Sequence, residues 1–377
     1  MLRRFYINNY RCLENFELPI SGQPSVLLIG KNGTGKTTIS YALEILQKVA
    51  LGTNRVRSLV TRDDFTRGRK DIPLRIEIEV ELASKIYEYV LAFELPEDFK
   101  ELRVREEKFT VDGNPVYHRE VAQVNLVRTS QNKEASFLID WHLVALPIII
   151  QEQSTTDPLF IFKQWLSQML ILRPIPPLIG GESEPEKETR HPVPEVTNFG
   201  AWWSGLLAYA PAAYTRISGY LAQVMPDLKD IKNRVVGPNY KSLEIQFSNE
   251  LGNLTLPFKK LSDGEKCFMI CALVLAACET QEGLFCFWDE PDNFLALDEV
   301  GHFVIALRSA FQKSNGQFVT TSHHPEAIRH FSMENTLLLY RKSHLEPTLV
   351  RHLIDLQKQN KISGDLVNAL IRGDVEP

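Results

Sequence analysis

One eight-residue stretch limits what this chain can fold into more than any other feature. It reads Gly30-Lys31-Asn32-Gly33-Thr34-Gly35-Lys36-Thr37, a G-x-x-x-x-G-K-T pattern. Before it stands the apolar run Ser25-Val26-Leu27-Leu28-Ile29. After it, Thr37 to Ala50 places Ile39, Leu43, Leu46 and Ala50 close to one helical face. Strand, glycine-rich turn and helix in that order make a phosphate-binding loop. Glycines let the backbone wrap closely around phosphates with N–H groups pointing inward, and the helix N-terminus adds positive potential. Lys36 would reach the β- and γ-phosphates, and Thr37 would ligate Mg²⁺. Gly30, Asn32, Gly33, Thr34, Gly35 and Thr38 complete the candidate contacts to a nucleotide, ATP. The expected fold class is α/β.

A second signal lies far along the chain. Leu284-Phe285-Cys286-Phe287-Trp288 is wholly apolar and ends in Asp289-Glu290. Carboxylates at the C-terminal edge of a buried strand suit metal and water chemistry beside a phosphate loop. Asp289 is the candidate Mg²⁺ ligand. Glu290 is the candidate residue that orients and activates the attacking water.

Composition excludes several other classes. The 377 residues are 44% hydrophobic and 24% charged, an ordinary balance for a folded protein. Lys and Arg total 42 against 47 Asp and Glu, so the formal charge of -5 argues against a basic nucleic-acid coat. The longest apolar runs, Leu143 to Ile150 and Phe268 to Cys278, are too short to span a bilayer. No signal-peptide pattern follows Met1. The cysteines Cys12, Cys267, Cys271, Cys278 and Cys286 are odd in number and sit among apolar residues, which suits buried thiols in a reducing cytoplasm.

The pattern of the chain divides it in three. Residues 1–150 read as a sheet-rich lobe carrying the phosphate loop. Leu2 to Tyr10 reads as an edge strand there, and Ile72 to Leu82 as a half-buried strand with an acidic outer face. Residues 151–240 read as a helical insertion. It contains a helix from Phe160 to Leu172, a mobile loop over 180–195, and the helices Phe199 to Tyr209 and Ala213 to Met225. Residues 241–377 return to strands and helices and end in two helices, Leu349 to Lys358 and Ser363 to Ile371.

Three further motifs carry a resemblance. Leu261-Ser262-Asp263-Gly264-Glu265 resembles the signature loop of the ABC-type ATPases. Asp289-Glu290-Pro291 followed by Leu295-Ala296-Leu297-Asp298 resembles their Walker B motif and D-loop, and Thr321-Ser322-His323 resembles their switch-histidine loop. With the Walker A loop in front, the order resembles the RecF/SMC/Rad50-like branch, and especially compact AAA-family ATPases related to the OLD proteins. The opening Phe5-Tyr6-Ile7-Asn8-Asn9-Tyr10-Arg11 resembles the first strand of that branch.

The resemblance implies a P-loop NTPase with an ABC-type head domain, mixed β-sheets and a helical insertion. It implies a homodimer or higher oligomer in which two heads sandwich ATP and Mg²⁺. Ser262 and Gly264 would then meet the γ-phosphate held by the other subunit. Asp298 would carry communication between subunits, and His323 would sense the γ-phosphate. A Q-loop glutamine is expected among Gln131, Gln151 and Gln153, and an adenine or ribose contact at Arg4 or Arg11. The short stretch after His323 and the lack of a clustered Asp-x-Asp lead to the expectation of no TOPRIM nuclease of the OLD kind. No heptad array marks a coiled-coil arm. Two functions follow from the resemblance. One is an ATP-hydrolysing dimeric switch for a separate effector or nuclease protein, as in bacterial anti-phage defence, with Trp202, Trp203, Tyr209 and Tyr214 as a docking face. The alternative is a RecF-like ATPase that binds DNA in repair or recombination. Arg55, Arg57, Arg62, Arg67 and Arg69 form a basic cluster that reads either as a solvated face or as a contact for phosphate, of ATP or of nucleic acid. No membrane contact is expected.

Overall fold

The computed structural model describes residues 1–128, 133–149, 156–237 and 239–358. At its centre is a six-stranded sheet in the order Leu170–Leu172, Phe285–Trp288, Gln317–Thr321, Ser25–Ile29, Thr336–Tyr340, Leu349–His352. The first five strands are parallel and the last is antiparallel. Ser25–Ile29, Phe285–Trp288 and Gln317–Thr321 are buried along their whole length. A parallel sheet covered on both faces requires this, and it is why Phe285–Trp288 reads as an unbroken apolar run, while Gln317–Thr321 buries its polar side chains in hydrogen bonds.

Alternate side chains enter two different cores, as the two-residue period of a strand dictates. Leu27, Ile29, Cys286 and Trp288 join the core under the helices Asp263–Thr280 and Leu297–Lys313. Val26, Leu28, Phe285 and Phe287 join the core under the helices Lys36–Ala50 and Pro158–Gln168. The strands that lead into the phosphate loop, the acidic pair and the histidine loop therefore all end at one edge of one rigid sheet. In parallel sheets this is the edge where ligands bind.

Against this layer lies an antiparallel sheet of eight strands, in the order Phe16–Leu18, Leu2–Asn8, Leu74–Leu82, Lys85–Glu94, Arg103–Val111, Asn114–Glu120, Gln123–Arg128, Lys133–Leu138. Gln317, 1% exposed, staples the two sheets together. Its amide accepts from Leu2 N–H at 2.8 Å and donates to the carbonyls of Leu2, Ile20 and Gln23. A further sheet, of Glu182–Ser183, Leu228–Gly237, Tyr240–Asn249 and Gly252–Pro257, accompanies the helices Phe199–Tyr209 and Ala213–Val224.

Several expectations are corrected. The first strand is interior, because Phe16–Leu18 covers it. Its charges stay satisfied there: Arg3 pairs with Glu79 and Glu81, and Arg4 with Glu17 and Glu77. The helix Pro158–Gln168 stops early, and Leu170–Leu172 becomes a strand beside Phe285–Trp288. Its three-residue apolar run cannot be told from a helix end by periodicity alone. The start of the 180–195 stretch is packed, while Pro185, Glu186 and Lys187 stay on the surface. Glu182–Ser183 pairs with Tyr240–Asn249, and a Cβ on Gly181 would stand 2.6 Å from Phe258 Cβ. Trp202 and Trp203 are fully buried, so they are core and no docking face; only Tyr209 of that set is exposed. Leu349–His352 is a strand, with a helix at Leu353–Lys358. The expected helix from Ser363 to Ile371 lies outside the described residues.

One buried polar cluster stands apart from the site. Glu107 and Arg119 are both 0% exposed and lie 3.5 Å apart. Glu107 also accepts from the hydroxyls of Tyr89 and Tyr117, each at 2.9 Å, and from the backbone N–H groups of Ala145 and Leu146. Burial, and then the neighbouring carboxylate, raise both phenol pKa values well above the ordinary range, which keeps them donors.

Candidate active site

The helix Lys36–Ala50 starts from Gly35, whose φ of 94° lies in the left-handed region. That conformation favours glycine, and space demands it as well. A Cβ there would stand 2.7 Å from Cys12 Sγ. At Gly30 a Cβ would run into the carbonyl oxygen of Leu339. The loop is thus held between the first lobe and the strand Thr336–Tyr340.

Lys36 is 6% exposed and folds back over the loop, donating to Gly30 O at 2.7 Å and to Lys31 O at 3.4 Å. Burial lowers its pKa, while Glu290 and Asp289 pull it back up. An ammonium held by neutral carbonyls in a desolvated loop gains from a phosphate, which offers charged acceptors.

Opposite it, Thr37 Oγ1 donates to Asp289 Oδ2 at 2.7 Å. These residues stand 252 apart in sequence, and the sheet brings them together. A hydroxyl and a carboxylate oxygen side by side are hard donors that fit Mg²⁺, which commonly keeps waters and substrate phosphates as its other ligands. Thr321 completes the cluster: its hydroxyl donates to Asp289 Oδ1 at 2.5 Å and accepts from Glu290 N–H at 2.9 Å.

Glu290 sits in left-handed backbone, φ 47°, where a non-glycine residue is strained. Its carboxylate accepts from Asn293 Nδ2 at 2.7 Å and lies 3.4 Å from His323 Nε2. The bond to His323 is the largest influence that lowers its pKa to about 2, with Asn293 adding to it against some desolvation. Replacing His323 by Ala is therefore expected to move the Glu290 titration up toward the ordinary carboxylate range. Side-chain ¹³C NMR of the resting protein would read this directly, and an unmoved titration would remove His323 from the account.

The turn after the acidic pair is tied to the histidine loop. Asp292 is 2% exposed and accepts a bond from Ser322 Oγ, and the same oxygen accepts from His324 N–H at 2.8 Å. Burial raises the Asp292 pKa. His324 Nδ1 caps the short helix Pro325–Arg329 by accepting from Glu326 N–H, so its ring is spent on local structure.

The remaining candidates lie elsewhere. Ser262 caps the helix Asp263–Thr280 in a reciprocal pair with Glu265. The N–H groups of Asp263 and Gly264 point off that helix end, as the first helical N–H groups must. A Cβ on Gly264 would stand 2.9 Å from Phe294 O, so the signature turn rests against the D-loop. Asp298 is exposed on the first turn of Leu297–Lys313. Among the described residues no hydrogen bond or ion pair joins Ser262, Gly264 or Asp298 to the phosphate loop. Arg4 is committed to Glu17 and Glu77. Arg11 stacks on Tyr41 of the phosphate-loop helix at 4.4 Å and pairs with Asp64. Gln131, Gln151 and Gln153 lie outside the described residues.

Thr321 belongs to the histidine-loop motif, which gives it no role of its own, and Asp292 and Arg173 belong to none of the sequence motifs. Arg173 follows the strand Leu170–Leu172 at the same sheet edge, where Asp289 N–H donates to Leu172 O at 2.8 Å. It stacks on the other side of Tyr41 at 4.3 Å and donates to Ser40 Oγ at 3.0 Å and to Glu44 at 2.5 Å. For Thr321 and Arg173 the available signal was positional, a polar residue at the end of a short strand; Asp292 lies in the turn after Phe285–Trp288 and carried no such signal.

Comparison with known proteins bears on this geometry. Residues 1–138 match the AAA ATPase domain family. A stretch of 46 residues is 44% identical to the OLD nuclease of Thermus scotoductus and covers 12% of this chain. The chain spans 8% of that protein's length. Among solved structures, an SMC head bound to the C-winged helix domain of ScpA is similar with a TM-score of 0.56 and 13% identity, over 94% of this chain and 99% of that one. An SMC head with an extended coiled coil, bound to the C-terminal domain of ScpA derived from Pyrococcus furiosus, gives 0.51 and 14% over 95% and 98%. Likeness at these identities is likeness of fold. No helix among the described residues is long and apolar enough to cross a membrane.

Proposed function

We propose that this chain, whose fold is that of the ABC-type ATPase heads of the RecF/SMC/Rad50-like branch, binds ATP with Mg²⁺ and hydrolyses it as a dimeric switch. The observation that carries the reading is the convergence of Lys36, Thr37, Asp289, Thr321, Glu290 and His323 at one sheet edge. Lys36 leaves the loop carbonyls to take the phosphates. Thr37 and Asp289 would hold Mg²⁺, whose charge would offset that of the phosphate oxygens. Water attacks the γ-phosphorus, the bond to the β-bridging oxygen breaks, and the water proton passes to Glu290.

In the resting chain Glu290 is engaged by His323 and Asn293 and is a weak base at about 2. Efficient general bases lie nearer the working pH. Turnover therefore waits for those contacts to rearrange. In this reading the signature turn of a second subunit drives that step: Ser262 and the Gly264 N–H close over the γ-phosphate, and Asp298 faces the partner. We infer a separate effector or nuclease as the output, in bacterial anti-phage defence and in the cytoplasm; the 46-residue likeness to an OLD nuclease supports the link to a nuclease alone.

Lys36→Ala is expected to weaken ATP binding by about 10- to 100-fold, the worth of a charge-assisted hydrogen bond. Equilibrium binding of labelled ATP would measure it, and parental affinity with parental turnover would overturn the loop assignment. DNA-stimulated turnover with steep salt dependence would instead favour the RecF-like reading.

A further inference from the structure

The basic residues after the phosphate-loop helix do not form one patch. Arg67 and Arg69 share Glu14, and Arg69 also pairs with Asp71. Arg55, Arg57 and Arg62 instead line a cavity of about 390 Å³ together with Lys100, and Leu102 and Leu143 give it apolar walls. Among the described residues Arg55, Arg57, Arg62 and Lys100 make no ion pair. The two carboxylates of the lining, Glu101 and Asp140, are both turned to His142, at 3.4 and 3.0 Å. Four cations without an ion-pair partner and two carboxylates thus line one concavity, an excess of two positive charges in a chain of net charge -5, and the Arg62 guanidinium also donates to the Lys100 carbonyl.

The walls are built. Val56 N–H donates to His142 O at 2.9 Å, and Val144 N–H donates to Asn54 O at 2.7 Å, lacing the two rims. From behind, Arg119 donates to the carbonyls of Asp140 and Leu143. Glu107 takes the next two N–H groups, those of Ala145 and Leu146. A buried ion pair with no part in the proposed hydrolysis therefore shapes one wall of this cavity. Supported walls of this kind are what a precise binding site needs. The volume falls in the range of small-molecule pockets, roughly 300–1,000 Å³.

We propose that this cavity binds a compact phosphate-bearing small molecule, its phosphates against Arg55, Arg57 and Lys100 and its remainder against Leu102 and Leu143. The geometry favours this over a DNA duplex. A duplex is met by cations spread along a face, whereas these line one hollow. The side chains of Glu101 and Asp140, 75% and 58% exposed, would repel a backbone passing over the rim.

The test uses the full chain carrying Lys36→Ala, which weakens the phosphate loop. Calorimetric titrations with inorganic pyrophosphate and with AMP should each show binding. Arg55→Gln with Arg57→Gln should weaken it by about tenfold or more, as loss of charge-assisted contacts requires. Lys100→Gln, made separately, should weaken it in the same direction. Tighter binding of AMP assigns a nucleotide, and tighter binding of pyrophosphate assigns a bare polyphosphate; both support the site. In the Lys36-containing chain the paired Gln substitutions should leave ATP turnover and the melting temperature unchanged, which separates this proposal from the hydrolytic reading. No binding of either probe would overturn it, as would binding that the Gln variants leave intact. A short DNA duplex whose binding falls in the Gln variants while neither small probe binds would overturn it in favour of a nucleic-acid surface.

Discussion

Glu290→Gln is expected to leave ATP bound and to slow hydrolysis by about 100- to 10,000-fold, the usual worth of a positioned general base. The substitution suits the site. Gln keeps the shape and the acceptor oxygen that Asn293 Nδ2 uses at 2.7 Å. It leaves the backbone N–H of residue 290 free to donate to Thr321 Oγ1. It removes the charge that His323 faces at 3.4 Å and the ability to take a proton. Thr37, Asp289 and Lys36 are untouched, so the phosphate and metal groups stay in place. Single-turnover hydrolysis and ATP affinity, measured on the same preparation, separate the two effects. Turnover at the parental rate would remove Glu290 as the base. Loss of ATP binding would show that its charge serves ground-state binding instead.

Trapping ATP in this way also exposes the oligomer. If signature turns close over the partner's nucleotide, the Glu290→Gln chain with MgATP should run as a dimer or larger particle, and the nucleotide-free chain should run smaller. Native mass in the two conditions reads this, and identical masses would count against closure in trans.

The parts of the fold that were legible in the sequence are those governed by local rules. The phosphate loop, the strand before it and the helix after it follow from glycines whose positions are sterically forced, as at Gly35. Strands such as Phe285–Trp288 are legible because burial on both faces leaves no polar position. The strand Leu170–Leu172 was hidden because three apolar residues carry no period, and only pairing with Phe285–Trp288 makes them a strand. Thr321 was hidden for another reason. Its role exists only because the parallel register sets Gln317–Thr321 beside Phe285–Trp288, bringing its hydroxyl to Asp289 and Glu290. The aromatic pair Trp202 and Trp203 misled because the stretch Phe199 to Ser204 is buried all round, and such a stretch has no periodicity to distinguish core from surface.

Glu107→Ala is expected to destabilise the fold by about 3–5 kcal/mol, as breaking a buried ion pair by removing one partner does. The cost is not only the charge left on Arg119. Tyr89, Tyr117 and the N–H groups of Ala145 and Leu146 lose their acceptor in the same step. Arg119→Met should cost less. It frees the carbonyls of Val121, Asp140 and Leu143, and under-satisfied carbonyls are tolerated better than orphaned N–H groups. Glu107 would still keep four donors. Removing both partners should not restore stability, because the backbone N–H groups remain unmatched, unlike ion pairs that apolar residues replace freely. Denaturant unfolding of the single and double variants measures the order. Amide hydrogen exchange adds a local reading, since Ala145 and Leu146 should exchange faster in Glu107→Ala before global unfolding begins. A double variant as stable as the parent would mean that the pair is a self-contained ion pair. A double variant as weak as Glu107→Ala would mean that the carboxylate exists to hold the 140–146 segment, the wall on which the cationic cavity depends.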